Sequence, residues 1–126
     1  MVTASLTNYR QSPRKVRLVA SLIKGKTVSQ ALDMLGVTVK RASDPLAKLI
    51  NSAVANAKDR GISVEGLYVK ECTVNQGVTM NRFMPGARGS AFPIRKKSSH
   101  VKLVLDTRVP KAVAPKTKKV SKAETK

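Results

Sequence analysis

Apolar and polar residues alternate in two stretches of the chain that flank a long segment without such a pattern. The apolar positions are Leu67, Val69 and Val74 on the way in and Val101, Leu103 and Leu105 on the way out. Because the side chains of a strand point alternately to its two faces, this spacing predicts two strands with one buried face each. The simplest antiparallel register sets Leu67 opposite Leu105, Val69 opposite Leu103 and Asn75 opposite Lys97, with the turn near Gly86.

The segment between these strands predicts a long β-hairpin, about residues 75–98, that extends away from the body. Each arm has about ten residues beyond the apolar part, and at about 3.3 Å per residue it reaches roughly 30 Å. Five cations lie in the segment without any acidic residue: Arg82, Arg88, Arg95, Lys96 and Lys97. A two-stranded ribbon is marginal in water on its own, so we expect a polyanionic partner to order it. The alternative is a flexible surface loop, but cations and apolar residues on the arms are unlike a solvating linker.

Three helices are predicted upstream of the hairpin. Ser12 and Pro13 suit the cap and first position of a helix, and Val16, Val19, Ala20 and Ile23 follow at helical spacing before Gly25. Residues 27–30 have the form of a capping box and begin a short second helix that Gly36 closes. A third helix begins between Lys40 and Pro45 and runs to about Arg60, with an apolar face over three turns.

These elements predict an α+β domain in which helices cover one face of a small antiparallel sheet. The two hairpin bases form this sheet, and residues 3–9 are a candidate third strand. We expect a single domain over residues 1–109. From Arg108 onward the sequence is rich in Pro, Lys, Ser and Thr without periodicity, so residues 110–126 are predicted to be a disordered basic tail.

The net charge of the chain restricts the class of partner that it can bind. The chain of 126 residues has a formal net charge of +18, which indicates a phosphate-rich partner. Aromatic residues make up only 3% and there is no Trp, so contacts to backbone and shape are favoured over stacking on bases. Arg14, Arg17 and Lys24 fall within about 80° of arc on the first helix, opposite its apolar face, which favours phosphate binding.

No enzymatic constellation is recognisable. The seven acidic residues are dispersed, and neither His100 nor Cys72 has a catalytic partner at a known spacing. His100 is expected to be a surface or RNA-facing residue of a strand, and Cys72 a small packed residue. The lone cysteine gives no disulfide or metal clip, so we expect no cofactor and no metal, and it favours a reducing compartment. No signal peptide or membrane span is indicated, and no small-molecule substrate is expected.

Three blocks in the sequence resemble the bacterial large-subunit ribosomal protein L-twenty-two family. They are SPRKVRLVASLIKGK, SAVANAKDRG, and MNRFMPGARGSA followed by KKSSHVKLVL, in matching order over roughly residues 4–108. The resemblance implies three helices against a three-stranded antiparallel sheet with a long hairpin. It also implies a structural protein that binds large-subunit ribosomal RNA during assembly, and whose hairpin lines the nascent-peptide exit tunnel. Implied partners are that RNA, neighbouring large-subunit proteins and the nascent peptide. The implied location is the bacterial cytoplasm, ribosome-bound, with an organelle left open.

The site residues follow from charge and from position in these blocks. Expected to bind ribosomal RNA are Arg10, Arg14, Lys15, Arg17, Lys24, Lys26, Arg82, Arg88, Arg95, Lys96, Lys97, Ser98 and His100. The hairpin tip expected in the tunnel comprises Met80, Asn81, Arg82, Pro85, Gly86, Ala87, Arg88, Gly89, Ser90 and Ala91. Family members commonly carry basic residues where this chain has Asn81, Gly86, Ser90 and Pro93.

Two other classes of protein stay open on the residues alone. A nucleoid-type architectural protein would insert a basic β-arm into DNA, but such an arm normally carries an apolar wedge at its tip. Here the tip reads Pro-Gly-Ala-Arg-Gly. A basic nuclease would need paired carboxylates to hold metal, and no such pair is recognisable.

Overall fold

Three helices pack on a three-stranded antiparallel sheet from which a long two-stranded ribbon extends. The computed structural model describes residues 1–107. In chain order, the elements are β1 (Val2–Tyr9), α1 (Pro13–Ile23), α2 (Val28–Val37), α3 (Ser43–Asp59), β2 (Tyr68–Pro85) and β3 (Ala91–Asp106), with a 3₁₀ turn (Ala87–Gly89) between the last two strands. This confirms the predicted α+β fold class. The predicted basic tail lies outside the described residues.

The strand order places β3 in the middle of the sheet, between β1 and β2. Both of its neighbours run antiparallel to it. The candidate N-terminal strand is therefore part of the sheet, and its residues pair with residues of β3 that lie 90 to 103 positions further along the chain. Only β2 and β3 continue into the ribbon, because β1 ends at Tyr9.

The core forms where the helices meet the sheet. All four apolar positions predicted for α1 are buried, and α3 adds Ile50, Ala53 and Ala57, none of which is exposed. The sheet side of the core consists of Val2, Val69, Val74, Val101, Leu103 and Leu105. Burying apolar surface contributes about 25 cal/mol per Å², so this layer holds the body of the protein together.

The helix boundaries follow local chemistry. Pro13 occupies the first position of α1, where its missing N–H costs no hydrogen bond. The Thr27 hydroxyl accepts a hydrogen bond from the Gln30 backbone N–H, and the Gln30 side chain accepts one from Thr27, so the predicted capping box is present. The expectation that Gly36 closes α2 was one residue short, because the helix continues to Val37. The start of α3 lies within the predicted range.

The simple register predicted for the hairpin was wrong. In the structure Val69 pairs with Leu105, Cys72 with Leu103 and Asn75 with His100, and the turn is centred on Arg88 instead of Gly86. At Val69 the slip is two residues, an even number that keeps Val69 on its predicted face, whereas at Asn75 the slip is three residues. Leu67 precedes the strand and is buried against the core from a loop.

Two bulges in β2 account for the remaining difference between the predicted and the observed strand register. The first lies between Val69 and Glu71, and the second lies between Gln76 and Thr79, where Gly77 and Val78 face the single residue Ser98. A bulge adds one residue to one strand and reverses the alternation of its side chains. The first bulge is what lets Val69 and Val74, five positions apart, both face the core.

Candidate RNA interface

A basic cleft opens where α1 begins and the ribbon leaves the body. One hollow of about 490 Å³ is lined by Ser12, Pro13, Arg14, Lys15, Arg17, Gln76, Arg95 and Lys97. The lining comes from the first turn of α1 on one side and from β2 and β3 on the other. Five of the eight residues are cations, and all five were predicted from the sequence to bind RNA.

A second hollow of about 690 Å³ continues the cleft on the other side of Lys15 and Lys97. It is lined by Arg10, Gln11, Ser12, Lys15, Arg41, Lys96 and Lys97. Ser12, Lys15 and Lys97 line both hollows, so the two form one surface. We call the residues of both hollows together the basic cleft. It brings the predicted cations of residues 10–17 and of the returning hairpin arm onto one surface, although some eighty residues separate them in the chain.

Arg41 belongs to the basic cleft but was missed by sequence reasoning. It follows α2 in the chain, and its backbone carbonyl accepts a hydrogen bond from the Tyr9 hydroxyl at 3.0 Å, which ties this loop to the end of β1. Burial raises the pKa of Tyr9, and the nearby Arg41 guanidinium opposes this effect. The sequence did contain a signal for this residue, because residues 40 and 41 are both basic and have no acidic residue next to them.

No acidic residue lines the basic cleft, and the first turn of α1 contains none. The ion pair found among residues 1–107 lies elsewhere, between Lys70 Nζ and Asp106 Oδ2 at 3.0 Å. The hydrogen bond from Lys70 lowers the pKa of Asp106. The cations of the cleft therefore face solvent without a carboxylate partner in the described part of the chain, and their field adds to the positive end of the α1 dipole.

Two predicted site residues lie inside the protein's own contacts instead of on an open basic arm. Ser98 is buried, and its hydroxyl donates to the Val78 carbonyl at 2.6 Å. His100 is half-buried, and its Nδ1 accepts a hydrogen bond from the Asn8 backbone N–H at 3.1 Å. Both residues lie where the ribbon leaves the sheet, close to Asn8, Gly77 and Val78.

Lys24 and Lys26 stand at the opposite end of α1 from the basic cleft. Both are exposed, and both lie in the turn between α1 and α2, where Lys26 pairs through its backbone with Val69. At 1.5 Å per residue, the helix separates them from Arg14 by about 15 Å. The structure thus divides the predicted first basic block between two ends of one helix.

The ribbon tip is a closed turn with a preformed shape. The Gly86 N–H donates to the Ser90 carbonyl at 2.7 Å, and the Ser90 hydroxyl donates to the Ala87 carbonyl at 2.6 Å. Arg88 adopts the left-handed region with φ of 56°. The other predicted tip residues lie in or beside this turn. Of the whole predicted tip, every residue except Gly86 is exposed.

One face of the ribbon carries four apolar side chains together with the cations Arg82 and Lys96. The register places Met84 opposite Phe92 and Arg82 opposite Ile94, with Met80 two positions along on the same face. Phe92 lies over Gly86, where a Cβ would come within 2.2 Å of its ring. With the Phe92 ring in this position there is no room for a side chain at position 86, so a larger residue there has to displace the ring.

Within residues 1–107, no helix is both long and apolar enough to cross a membrane. The same residues contain no group of three or more His, Cys, Asp or Glu side chains placed to hold a metal ion. Burial raises the pKa of the Cys72 thiol to about 11. A thiol with so high a pKa is a poor nucleophile at neutral pH.

The fold and the basic cleft define a class of protein: a small basic α+β protein with an extended β-ribbon. Residues 4–106 match the sequence model of the family described as Ribosomal protein L22p/L17e. The chain belongs to this family of structural proteins of the large ribosomal subunit, for which ribosomal RNA binding is characteristic.

Bacterial relatives are similar over most of their length. The chain is 52% identical over 106 residues to the large ribosomal subunit protein uL22 of Myxococcus xanthus, covering 82% of this chain and 93% of the relative. It is 51% identical to the corresponding protein of an Anaeromyxobacter species, covering 82% and 73%. It is 49% identical to that of Acetivibrio thermocellus, covering 83% and 85%. These relatives extend the match through the ribbon.

Proposed function

We propose that this protein binds large-subunit ribosomal RNA during assembly through the basic cleft, and that its ribbon passes between RNA segments to line the nascent-peptide exit tunnel. The observation that carries the proposal is the cleft itself. Cations from three separate parts of the chain converge there, and no carboxylate lines it. An RNA backbone supplies the missing negative charge.

The shape of the cleft suits a folded RNA. Its walls are a helix and a strand pair, and no aromatic ring lines either hollow. The cleft therefore does not recognise RNA by stacking on bases. Its residues suit contacts to phosphates and to the shape of an A-form groove. Arg14, Arg41 and Arg95 have forked guanidinium groups that can bind phosphate oxygens in pairs.

The ribbon supports the tunnel part of the proposal by its reach. From Gly77 to Pro85 the strand extends about 26 Å at 3.3 Å per residue. Its side chains from Met80 to Lys97 are exposed apart from Gly86, so the ribbon has no cover from its own body. We infer that the RNA surrounds its arms, and that the nascent peptide and neighbouring large-subunit proteins contact its outer parts. The proposed location is the ribosome in the bacterial cytoplasm.

The RNA-binding role is tested by removing the two cations shared by both hollows. In the variant Lys15→Ala with Lys97→Ala, we expect weaker binding to large-subunit RNA. The slope of log affinity against log salt should become shallower by about one to two, because each lost phosphate contact removes close to one unit. Affinity measured over a series of salt concentrations gives this slope.

A matched control removes the same charge elsewhere. Lys48 and Lys58 are exposed on α3 and line neither hollow, so Lys48→Ala with Lys58→Ala lowers the net charge equally. We expect the control to lose less affinity and to keep its slope nearer the parent value. Equal losses in the two variants would show that binding depends on net charge alone and would contradict the assignment to the cleft. Stronger retention on duplex DNA than on the RNA would favour the architectural alternative.

A further inference from the structure

Irregularities in both outer strands meet at one place on β3. In β1, Thr7 and Asn8 face His100, and Asn8 adopts a left-handed conformation with φ of 56°. In β2, Gly77 and Val78 face Ser98. Bulges bend a strand and increase its local twist. Two of them, on opposite sides of β3 and two residues apart along it, set the angle at which the ribbon leaves the sheet.

His100 links the two outer strands across β3. Its Nδ1 accepts the Asn8 backbone N–H on one side. Its Nε2 lies on the other side against Gly77, where a Cβ would be 2.9 Å away. The same Cβ would lie 2.6 Å from the Ser98 hydroxyl oxygen. The imidazole therefore fills the space that a side chain at position 77 would need.

Further contacts hold this arrangement in one conformation. The Ser98 hydroxyl donates to the Val78 carbonyl, which the bulge has removed from the regular ladder. On the helix side, Arg17 Nε donates to the Val74 carbonyl at 3.0 Å, three residues before Gly77. These two hydrogen bonds give carbonyl groups in and beside the bulge side-chain partners, which favours the bent geometry.

We propose that His100 and Gly77 are the positioning residues that fix the direction of the ribbon relative to the body. The inference is geometric: His100 ties β1 to β3, and the missing side chain of Gly77 lets β2 approach the imidazole. The functional importance of this direction rests on the proposed function, since a ribbon that enters a tunnel between RNA segments must leave the body at one angle. The angle itself is measurable on the free protein.

The expected effect of a Cβ at position 77 follows from the spacing of strands. If the Ser98 and His100 side chains keep their hydrogen bonds to Val78 and Asn8, relieving the 2.6 Å contact to an ordinary 3.4 Å moves the strands apart by about 0.8 Å. Across a strand spacing of about 4.8 Å, that movement is a tilt of about 10°, which displaces a tip about 26 Å away by roughly 5 Å. Such a shift is within reach of spin-label distance measurements.

The experiment places one spin label on the body and one on the tip, through Ala55→Cys and Ala87→Cys. Both positions are exposed. Native Cys72 is half-buried, and its raised pKa keeps it slow to label. In Gly77→Ala we expect the mean distance to shift by several ångströms. In His100→Ala we expect a broader distribution, because the Asn8 N–H loses its acceptor.

Two further variants separate positioning from a general structural effect. In Gly36→Ala the added Cβ meets nothing within 4 Å, so the distances should match the parent. In His100→Asn the side-chain oxygen can accept from Asn8 as Nδ1 does, so a narrow distribution should return. If Gly77→Ala does not fold, the two His100 variants carry the test. The proposal is overturned if folded Gly77→Ala and His100→Ala both reproduce the parent distribution, or if His100→Asn is as broad as His100→Ala.

Discussion

Arg17 donates a hydrogen bond from its Nε to the backbone carbonyl of Val74, and so joins α1 to β2 at 3.0 Å. Sequence reasoning grouped Arg17 with Arg14 as two equivalent cations on the outer face of the helix. The structure separates their roles, because Arg17 lines the basic cleft and also braces the strand that leads into the ribbon. Arg14 lines the cleft from an exposed position one turn earlier.

We predict that Arg17→Ala destabilises the body while Arg14→Ala does not. A hydrogen bond to a charged group contributes about 1.5 to 3 kcal/mol, and partial exposure reduces this to about 1 kcal/mol here. For a domain of this size, that loss lowers the midpoint of thermal unfolding by about 4 to 8 °C. Thermal unfolding of the two variants under identical conditions gives the comparison. Equal midpoints would show that the contact to Val74 adds no stability.

A second prediction concerns Gly86 and Phe92. In Gly86→Ala the new Cβ must displace the Phe92 ring, which it would otherwise approach to 2.2 Å. We expect the nuclear Overhauser contacts between the ring and position 86 to change while those of the core stay the same. The double variant Gly86→Ala with Phe92→Ala removes the clash with the ring, so its resonances around Ser90 should be close to those of Phe92→Ala alone. Unchanged ring contacts in the single variant would contradict the close approach.

Shortening the ribbon should separate RNA anchoring from tunnel shape. Asn81 pairs with Arg95, so the two can be joined by an Asn-Gly turn in place of residues 82–94. The variant loses Arg82 and Arg88 but keeps every cation of the basic cleft. We expect assembly into large subunits to be retained and cross-links from a nascent peptide to the ribbon to be lost. A severe loss of assembled subunits would mean that the tip anchors the RNA.

The Cys72 thiol provides a prediction with a pH dependence. Burial raises its pKa from 9.0 to about 11, so at pH 8 its thiolate fraction is about one hundredth that of an ordinary thiol. A thiolate of higher pKa is also the stronger nucleophile, which offsets part of this loss, so a thiol reagent should react about ten times more slowly with the folded protein than with the chain in urea. The folded rate should rise with pH until about pH 11. Similar rates in the two states at pH 8 would show that the thiol is exposed.

Much of the fold follows from local patterns. The apolar spacing of α1, the capping box of α2 and the alternation in β3 each involve residues close together in the chain, and each prediction was confirmed within one or two residues. The register of the hairpin was not recovered, because the simplest pairing assumes strands without bulges. A signal was present: Val69 and Val74 are an odd number of residues apart, and both can face the core only across an irregularity.

The cations of the basic cleft were predictable except for Arg41, but their arrangement was not. Net charge and the absence of nearby acids identified Lys15, Arg95 and Lys97 separately. Their convergence depends on how α1 crosses the end of the sheet, which is a tertiary relationship that periodicity does not encode. The same limit explains why Arg41 was missed and why His100 was expected on an open surface. Its role depends on Asn8, which lies 92 residues away.

The central position of β3 also constrains the order in which the body can fold. β1 and β2 have no regular ladder with each other, and each pairs with β3. During synthesis, about ninety further residues must therefore be added after β1 before its partner strand, β3, is present. Contacts so distant in the chain slow folding, because the loop must close before they contribute. Until β3 is synthesised, no paired strands exist for the helices to cover, so part of their apolar surface stays exposed and open to aggregation.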